Sequence, residues 1–253
     1  MSPAAIVLYG CGLFGASALA QMALQQSALV AAVAGAVIAE LGGGKVGVAW
    51  NDPKAAPATA SRNVRQGGLA VGLGVLAAAV ALGLGLATGT MHQEMHGRPL
   101  LIPLALGLVE CFFYAIQTEI LQRGLLRVFC MRTEPKLFVP LAILVGLAAT
   151  AGRVGLQPGP LLAAAASSLA LALAWNRAGG ALVPICLHTG QRFVLTALAS
   201  GSGLGLVGGG LVGGSPLDTG VAAAAGMLAL AAALAFWRKP ASQQADRIEQ
   251  KAL

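Results

Sequence analysis

Residues 100–128 read LLIPLALGLVECFFYAIQTEILQRGLLRV, a largely apolar run that carries Glu110, Glu119 and Arg123. A run of about 20 mostly apolar residues is long enough to cross a bilayer as a helix. Each ionisable side chain in such a helix costs roughly 2.5–3.5 kcal/mol on insertion scales, so its presence needs a structural or functional reason. This stretch therefore predicts a membrane-spanning helix that contains a polar site.

The rest of the chain has the composition of an all-α, multi-pass membrane protein. Of its 253 residues, 57% are hydrophobic and 10% are charged, whereas soluble domains carry about 25% charged residues. This composition excludes an ordinary soluble domain and a disordered chain, and it provides no dense basic surface for nucleic acid. The four cysteines are scattered without a CxxC pair, so we expect no metal site and no disulfide framework.

Hydropathy divides the chain into eight predicted transmembrane helices. They cover residues 4–24, 27–41, 67–90, 100–128, 137–151, 161–175, 181–199 and 220–237. Residues 1–237 thus form a single predicted membrane domain, and residues 238–253 a polar cytoplasmic tail. Residues 42–66 are predicted to be a loop with an interfacial segment at 46–50, and residues 91–99 a short polar connection. No basic region precedes the first apolar run, which favours a retained helix over a cleaved signal peptide.

The basic residues predict the orientation of these helices, because Lys and Arg concentrate in cytoplasmic loops. With the N-terminus inside, the cytoplasmic segments hold twelve of the sixteen Lys and Arg residues, whereas the opposite side holds only Arg98 and Arg153. The cytoplasmic segments are then residues 42–66, 127–136, 176–180 and 238–253. Both termini are therefore predicted to be cytoplasmic, and the net charge of +7 requires no nucleic-acid partner.

Two of the predicted helices place ionisable groups at matching depths. With a rise of about 1.5 Å per residue, Glu119 lies roughly 12 Å from the cytoplasmic end of its helix, and His188 roughly 10 Å from that of its own. Glu119 and Arg123 are four residues apart, a spacing that allows an ion pair, and His188 and Arg192 are spaced likewise. Glu110 lies nearly opposite Glu119 around the helix, and its spacing leaves open whether it faces Arg192. A structural polar lock between the helices and a functional cluster both fit this pattern.

The segment from Glu119 to Arg123, with Gly-Leu-Leu directly after it, resembles the first motif of a known family. That family is the CAAX-protease and bacteriocin-processing (CPBP) family of glutamic intramembrane endopeptidases, whose first motif is Glu-Glu-x-x-x-Arg, commonly followed by Gly and Leu. His188 is similar to the histidine of the family's third motif, His-x-x-x-Asn or Asp. By order and spacing the resemblance covers about residues 100–199, and it implies eight helices around a site that opens toward the cytoplasmic leaflet.

The chain departs from the family's pattern at three of the four polar positions that the reaction needs. Thr118 stands where the resemblance places the first Glu, which activates the attacking water, and Glu119 and Arg123 stand where the family braces its site. The second motif, Phe-x-x-x-His, would place its histidine near Ala149, in a predicted helix that contains no histidine. The Asn or Asp partner of the third-motif histidine is replaced by Arg192.

These departures predict a pseudoenzyme. A glutamic hydrolase needs a carboxylate base and donors for the developing oxyanion, and a threonine cannot act as that base. We expect a non-catalytic scaffold or accessory subunit of a membrane complex, in a bacterial cytoplasmic membrane, with the lipid bilayer and a membrane protein as partners and no cofactor. The alternative is an active CAAX-type or bacteriocin-processing-type endopeptidase with a rearranged site of Glu119, His188 and Arg192. A third class is a small-molecule or lipid binder that uses the same polar pocket.

Overall fold

Nine α-helices build the described part of this computed structural model, which comprises residues 1–52, 59–87, 91–93, 101–198, 206–208 and 220–236. They are α1 Pro3–Ala23, α2 Ala28–Val46, α3 Ala60–Ala87, α4 Leu101–Thr118, α5 Leu125–Arg132, α6 Phe138–Val154, α7 Pro158–Ala178, α8 Leu182–Arg192 and α9 Val221–Phe236. Two π-helical segments continue helices without a break: Glu119–Gly124 joins α4 to α5, and Phe193–Leu198 follows α8. The predicted tail at 238–253 lies outside the described residues.

Six of the helical segments are long and apolar enough to cross a membrane. They are Pro3–Ala23, Ala28–Val46, Ala60–Ala87, Leu101–Arg132, Pro135–Val154 and Pro158–Ala178. The shorter helices α8 and α9 occupy the places of the last two predicted spans. The protein is thus an all-α, multi-pass membrane protein as predicted, while the count of eight spans and the cytoplasmic placement of both termini stay predictions.

The predicted loop at 42–66 is wrong at both ends, because α2 continues to Val46 and α3 already begins at Ala60. Glycine lowers helix propensity, so a run of three glycines predicts an end to the helix. Packing overrides that preference: a Cβ at Gly42 would overlap the Leu13 side chain of α1. The helix ends instead at Gly47, whose φ of 96° places it in the left-handed region that favours glycine.

The predicted interfacial segment at 46–50 contacts the start of α8. Ala49 and Trp50 accept backbone hydrogen bonds of 2.9 Å from Ala181 and Leu182, at the start of α8. The Trp50 indole donates to Glu40 Oε1 over 2.6 Å. Because the first amides of a helix have no partner within it, this segment satisfies the N-terminus of α8. The segment therefore determines where α8, the helix that carries His188, begins.

Helix α8 packs very closely against α3. A Cβ at Gly74 would overlap the carbonyl oxygen of Leu187, and one at Gly190 would overlap that of Val71. Small residues allow this approach in membrane proteins, where van der Waals contact between helices replaces the hydrophobic driving force. Helix α8 also packs against α4.

A short pair of strands lies in two segments that connect predicted transmembrane helices. Strand β1, Met91–Gln93, pairs antiparallel with β2, Leu206–Gly208, and Met91 lies opposite Gly208. Three residues per strand are too few to make a sheet domain. The pairing links the end of α3 to the segment that follows α8.

Candidate functional site

The helix that carries Glu119 changes its winding at that residue. In the π-helical segment Glu119–Gly124, the Leu125 amide donates to the Ile120 carbonyl, one residue further back than in an α-helix. A second π-helical segment begins at Phe193, directly after Arg192. π-Helical turns are rare and frequently lie at functional sites. The two helices that carry the predicted ionisable residues therefore both change to π-helical winding beside those residues.

Glu119 is the centre of a buried hydrogen-bond cluster. Its side chain has no solvent exposure, and Arg123 Nη1 lies 2.5 Å from its Oε1. His188 Nδ1 lies 2.8 Å from the same oxygen, and Trp175 Nε1 donates to Oε2 over 2.9 Å. Groups from the π-helical segment, α7 and α8 thus engage both carboxylate oxygens.

Arg123 completes this cluster on the other side of the carboxylate. Its Nη2 donates to Ser168 Oγ over 3.2 Å, and the side chain is 6% exposed. A buried charge is tolerated when it is paired and hydrogen-bonded, because desolvation otherwise costs several kcal/mol. These hydrogen bonds therefore connect the π-helical segment to α7, through Trp175 and Ser168. His188 connects the same segment to α8.

A cavity of about 680 Å³ lies beside the cluster, between α1, α4, α6, α7 and α8. Thr118, Ala149, His188 and Arg192 all line it, so the structure brings together the positions that the family motifs singled out. Glu119 is not among the lining residues. It lies behind His188, whose side chain is 14% exposed, and is sealed by its three donors.

Arg192 does not pair with Glu110. Its guanidinium carbon lies 3.6 Å from the centroid of the Tyr114 ring, a cation–π contact. The Tyr114 ring also meets the His188 ring edge-to-face, with centroids 6.5 Å apart. Glu110 is half-buried and does not line the cavity. The pairing that spacing left open is therefore replaced by a stack of Arg192 on an aromatic ring.

The cavity extends toward the end of the bundle where α1 and α6 finish. Gln21 lies near the end of α1, and Arg153 and Val154 form the end of α6, and all three are lining residues. In the orientation that the basic residues predict, this end faces away from the cytoplasm. The resemblance implied a site that opens toward the cytoplasmic leaflet, so the two expectations place the opening on opposite sides.

Sequence reasoning missed Trp175, Ser168 and a second polar group. Gln117 Nε2 donates to Ser17 Oγ over 2.6 Å, and its Oε1 accepts from Gln21 Nε2 over 2.9 Å. Buried Trp and Gln side chains need hydrogen-bond partners, which is the signal that marks them as candidates. Within the residues that the structure describes, no group of His, Cys, Asp and Glu side chains has the arrangement of a metal site.

Trp175→Phe is expected to lower the free energy of unfolding by about 1.5–3 kcal/mol, because it removes a hydrogen bond to a buried charged acceptor. The measurement is unfolding in mixed micelles, followed by far-ultraviolet circular dichroism. Trp50→Phe is the matched control: its indole also donates to a carboxylate, that of Glu40, but both are half-buried and water can replace the donor. An equal loss in the two variants would contradict the special burial of Glu119.

Comparison with known proteins gives no relative for this chain: no protein-family model, no curated protein and no solved structure matches it. The resemblance to the CPBP family therefore depends on the short motifs around Glu119 and His188.

Proposed function

We propose that this protein is a non-catalytic membrane protein of the CPBP type, which acts as a scaffold or accessory subunit of a membrane complex. The observation that carries the proposal is the complete engagement of Glu119. A general base must be within reach of the proton that it takes. Glu119 is fully buried, and its two oxygens accept from Arg123, His188 and Trp175 instead.

The cavity wall supports the same conclusion. Thr118 lines the cavity at the position where the resemblance requires the carboxylate that activates water, and its hydroxyl cannot take that role. Ala149 lines the cavity where the second motif would place an imidazole, so a donor for the developing oxyanion is missing there. The chain thus keeps the bracing residues of such a site and lacks the reacting ones.

A partner helix has room on the exposed face of α3. Gly68 and Gly72 are four residues apart, both are exposed, and a Cβ at either would meet no described atom within 4 Å. This spacing of small residues allows helices to pack closely in a membrane. It supports a role in which the protein holds another membrane protein.

One observation favours hydrolysis as a second candidate function. His188 lines the cavity while its Nδ1 contacts Glu119, an arrangement in which a carboxylate orients an imidazole base. Arg192 also lines the cavity and would be the donor to an oxyanion. In this alternative, His188 takes the proton from water and Glu119 acts only through His188.

A cleavage assay separates the two functions. The purified full-length protein is reconstituted in liposomes and given a quenched fluorogenic peptide that ends in a prenylated cysteine motif, or the same peptide without the prenyl group. We expect no cleavage above that of protein-free liposomes, and no change in His188→Gln. Arg65→Gln, an exposed substitution on α3 away from the cavity, controls for a contaminating protease. Cleavage that His188→Gln abolishes and Arg65→Gln retains would establish the hydrolase.

A further inference from the structure

The cavity has a one-sided charge. Three arginines line it, Arg123, Arg153 and Arg192, and no Asp or Glu does. Arg123 is neutralised by Glu119. Neither Arg153 nor Arg192 forms an ion pair with any carboxylate in the described part of the chain. The cavity therefore carries positive charge that no protein side chain described here balances.

Arg192 is the more costly of the two charges. It is half-buried between helices of a membrane protein, where a guanidinium without a counter-charge is strongly disfavoured. Its contact with the Tyr114 ring offsets part of that cost and leaves the net charge in place. An anion in the cavity would neutralise it and accept two parallel hydrogen bonds from the planar guanidinium.

Neutral polar groups line the same cavity as the two arginines. Gln122, Gln191, Ser167 and Thr118 line the same cavity, and Gln191 Nε2 donates to Ser167 Oγ over 3.3 Å. Amides and hydroxyls donate hydrogen bonds to an anion, whereas carboxylates would repel it. A group with several acceptor oxygens, such as a phosphate, matches this set of donors. The volume of about 680 Å³ lies within the usual range of ligand sites, about 300–1,000 Å³.

Helices α1 and α6 both line the cavity, and in the described part of the chain they do not pack along each other. Their lining residues include the apolar Phe14, Ala18 and Val154. A polar cavity bordered by apolar residues of two helices that are not packed together fits a molecule that has a charged head and hydrocarbon tails.

We propose that this cavity binds a phosphate group with net negative charge, held by Arg192 and Arg153. The group comes from an anionic phospholipid whose tails leave between α1 and α6, or from free phosphate in the surrounding water. The inference rests on the proposed function in one respect: the cavity is a binding site and carries out no reaction.

Native mass spectrometry of the full-length protein in detergent tests this inference. Phosphatidylglycerol, phosphatidylcholine and inorganic phosphate are titrated separately, and then phosphate in competition with phosphatidylglycerol. We expect one phosphatidylglycerol per protein, bound at least about tenfold more tightly than phosphatidylcholine. Arg192→Gln is expected to weaken this binding about tenfold, which corresponds to about 1.4 kcal/mol. Arg65→Gln removes a charge outside the cavity and should bind as the wild type does.

The competition arm identifies the source of the phosphate group. Phosphatidylglycerol binding that inorganic phosphate does not reduce assigns the site to the lipid, and one-to-one binding of inorganic phosphate alone assigns it to the free anion. Arg153→Gln changes an exposed side chain, so it replaces Arg192→Gln if that variant does not fold. Equal binding of the two lipids without any binding of inorganic phosphate, or wild-type binding by both variants, would overturn the inference. A lipid mass that changes during incubation would instead contradict the non-catalytic proposal and leave the binding intact.

Discussion

Glu119→Ala is expected to be the most destabilising substitution of a charged residue in this protein, at about 3–5 kcal/mol. Removing one partner of a buried ion pair leaves the other charge buried and unpaired. Here the unpaired group is Arg123, which is 6% exposed and keeps only the Ser168 hydroxyl as a hydrogen-bond partner among the described residues. The substitution also leaves the Trp175 indole without its acceptor. The free energy of unfolding in mixed micelles gives the measurement.

Three companion variants decide whether the lost pair is the cause. Glu110→Gln changes a half-buried carboxylate in the same helical run, which forms no ion pair with a described residue, and should cost less than about 1 kcal/mol. In Glu119→Ala/Arg123→Met the unpaired charge is gone as well, so the double variant should be more stable than Glu119→Ala alone. Additive losses from Glu119→Ala and Arg123→Met would contradict the coupling of the pair.

Gly74→Ala is expected to cost about 1–3 kcal/mol, which is unusual for the addition of a single methyl group. The added Cβ would overlap the Leu187 carbonyl oxygen of α8, and that backbone atom cannot move without the helix. Because His188 follows Leu187 directly, displacing α8 also strains its contact with Glu119. The loss is measured as the unfolding free energy of the reconstituted protein.

Gly72→Ala is the matched control, two residues away on the same helix. Its Cβ would meet nothing within 4 Å, and alanine has the better helix propensity, by about 1 kcal/mol in water. We expect this variant to be as stable as the wild type or more stable. Equal stability of the two variants would contradict the close approach of α3 and α8.

The sequence was sufficient to predict a multi-pass membrane protein and the two helices that carry Glu119 and His188. Glu119 and His188 were predicted at similar depths because helical rise converts a count of residues into a distance. In the structure, His188 Nδ1 lies 2.8 Å from Glu119 Oε1. Costly ionisable groups in apolar helices mark such a site whatever the details of packing.

Other parts of the site depend on tertiary packing, which local sequence does not encode. Trp175 reaches Glu119 because α7 lies against the π-helical segment, and the pattern of hydropathy does not reveal that contact. The change to π winding at Glu119 likewise left no trace in the apolar periodicity. Spacing left open whether Glu110 faces Arg192, and in the structure Arg192 lies against the Tyr114 ring instead. The glycine run before Gly47 was predicted to be part of a loop because hydropathy does not show how Gly42 packs against α1.

In the proposed function, a sealed carboxylate and a missing base leave this site without catalysis. The most direct test of this proposal is a search for new peptide termini by mass spectrometry. Liposomes with the reconstituted wild-type protein are incubated with a mixed library of prenylated and unprenylated peptides, beside protein-free liposomes. If the protein is non-catalytic, the same set of peptide termini is expected in both samples. Additional termini that disappear in a folded His188→Gln variant and persist in Arg65→Gln would contradict the proposed function.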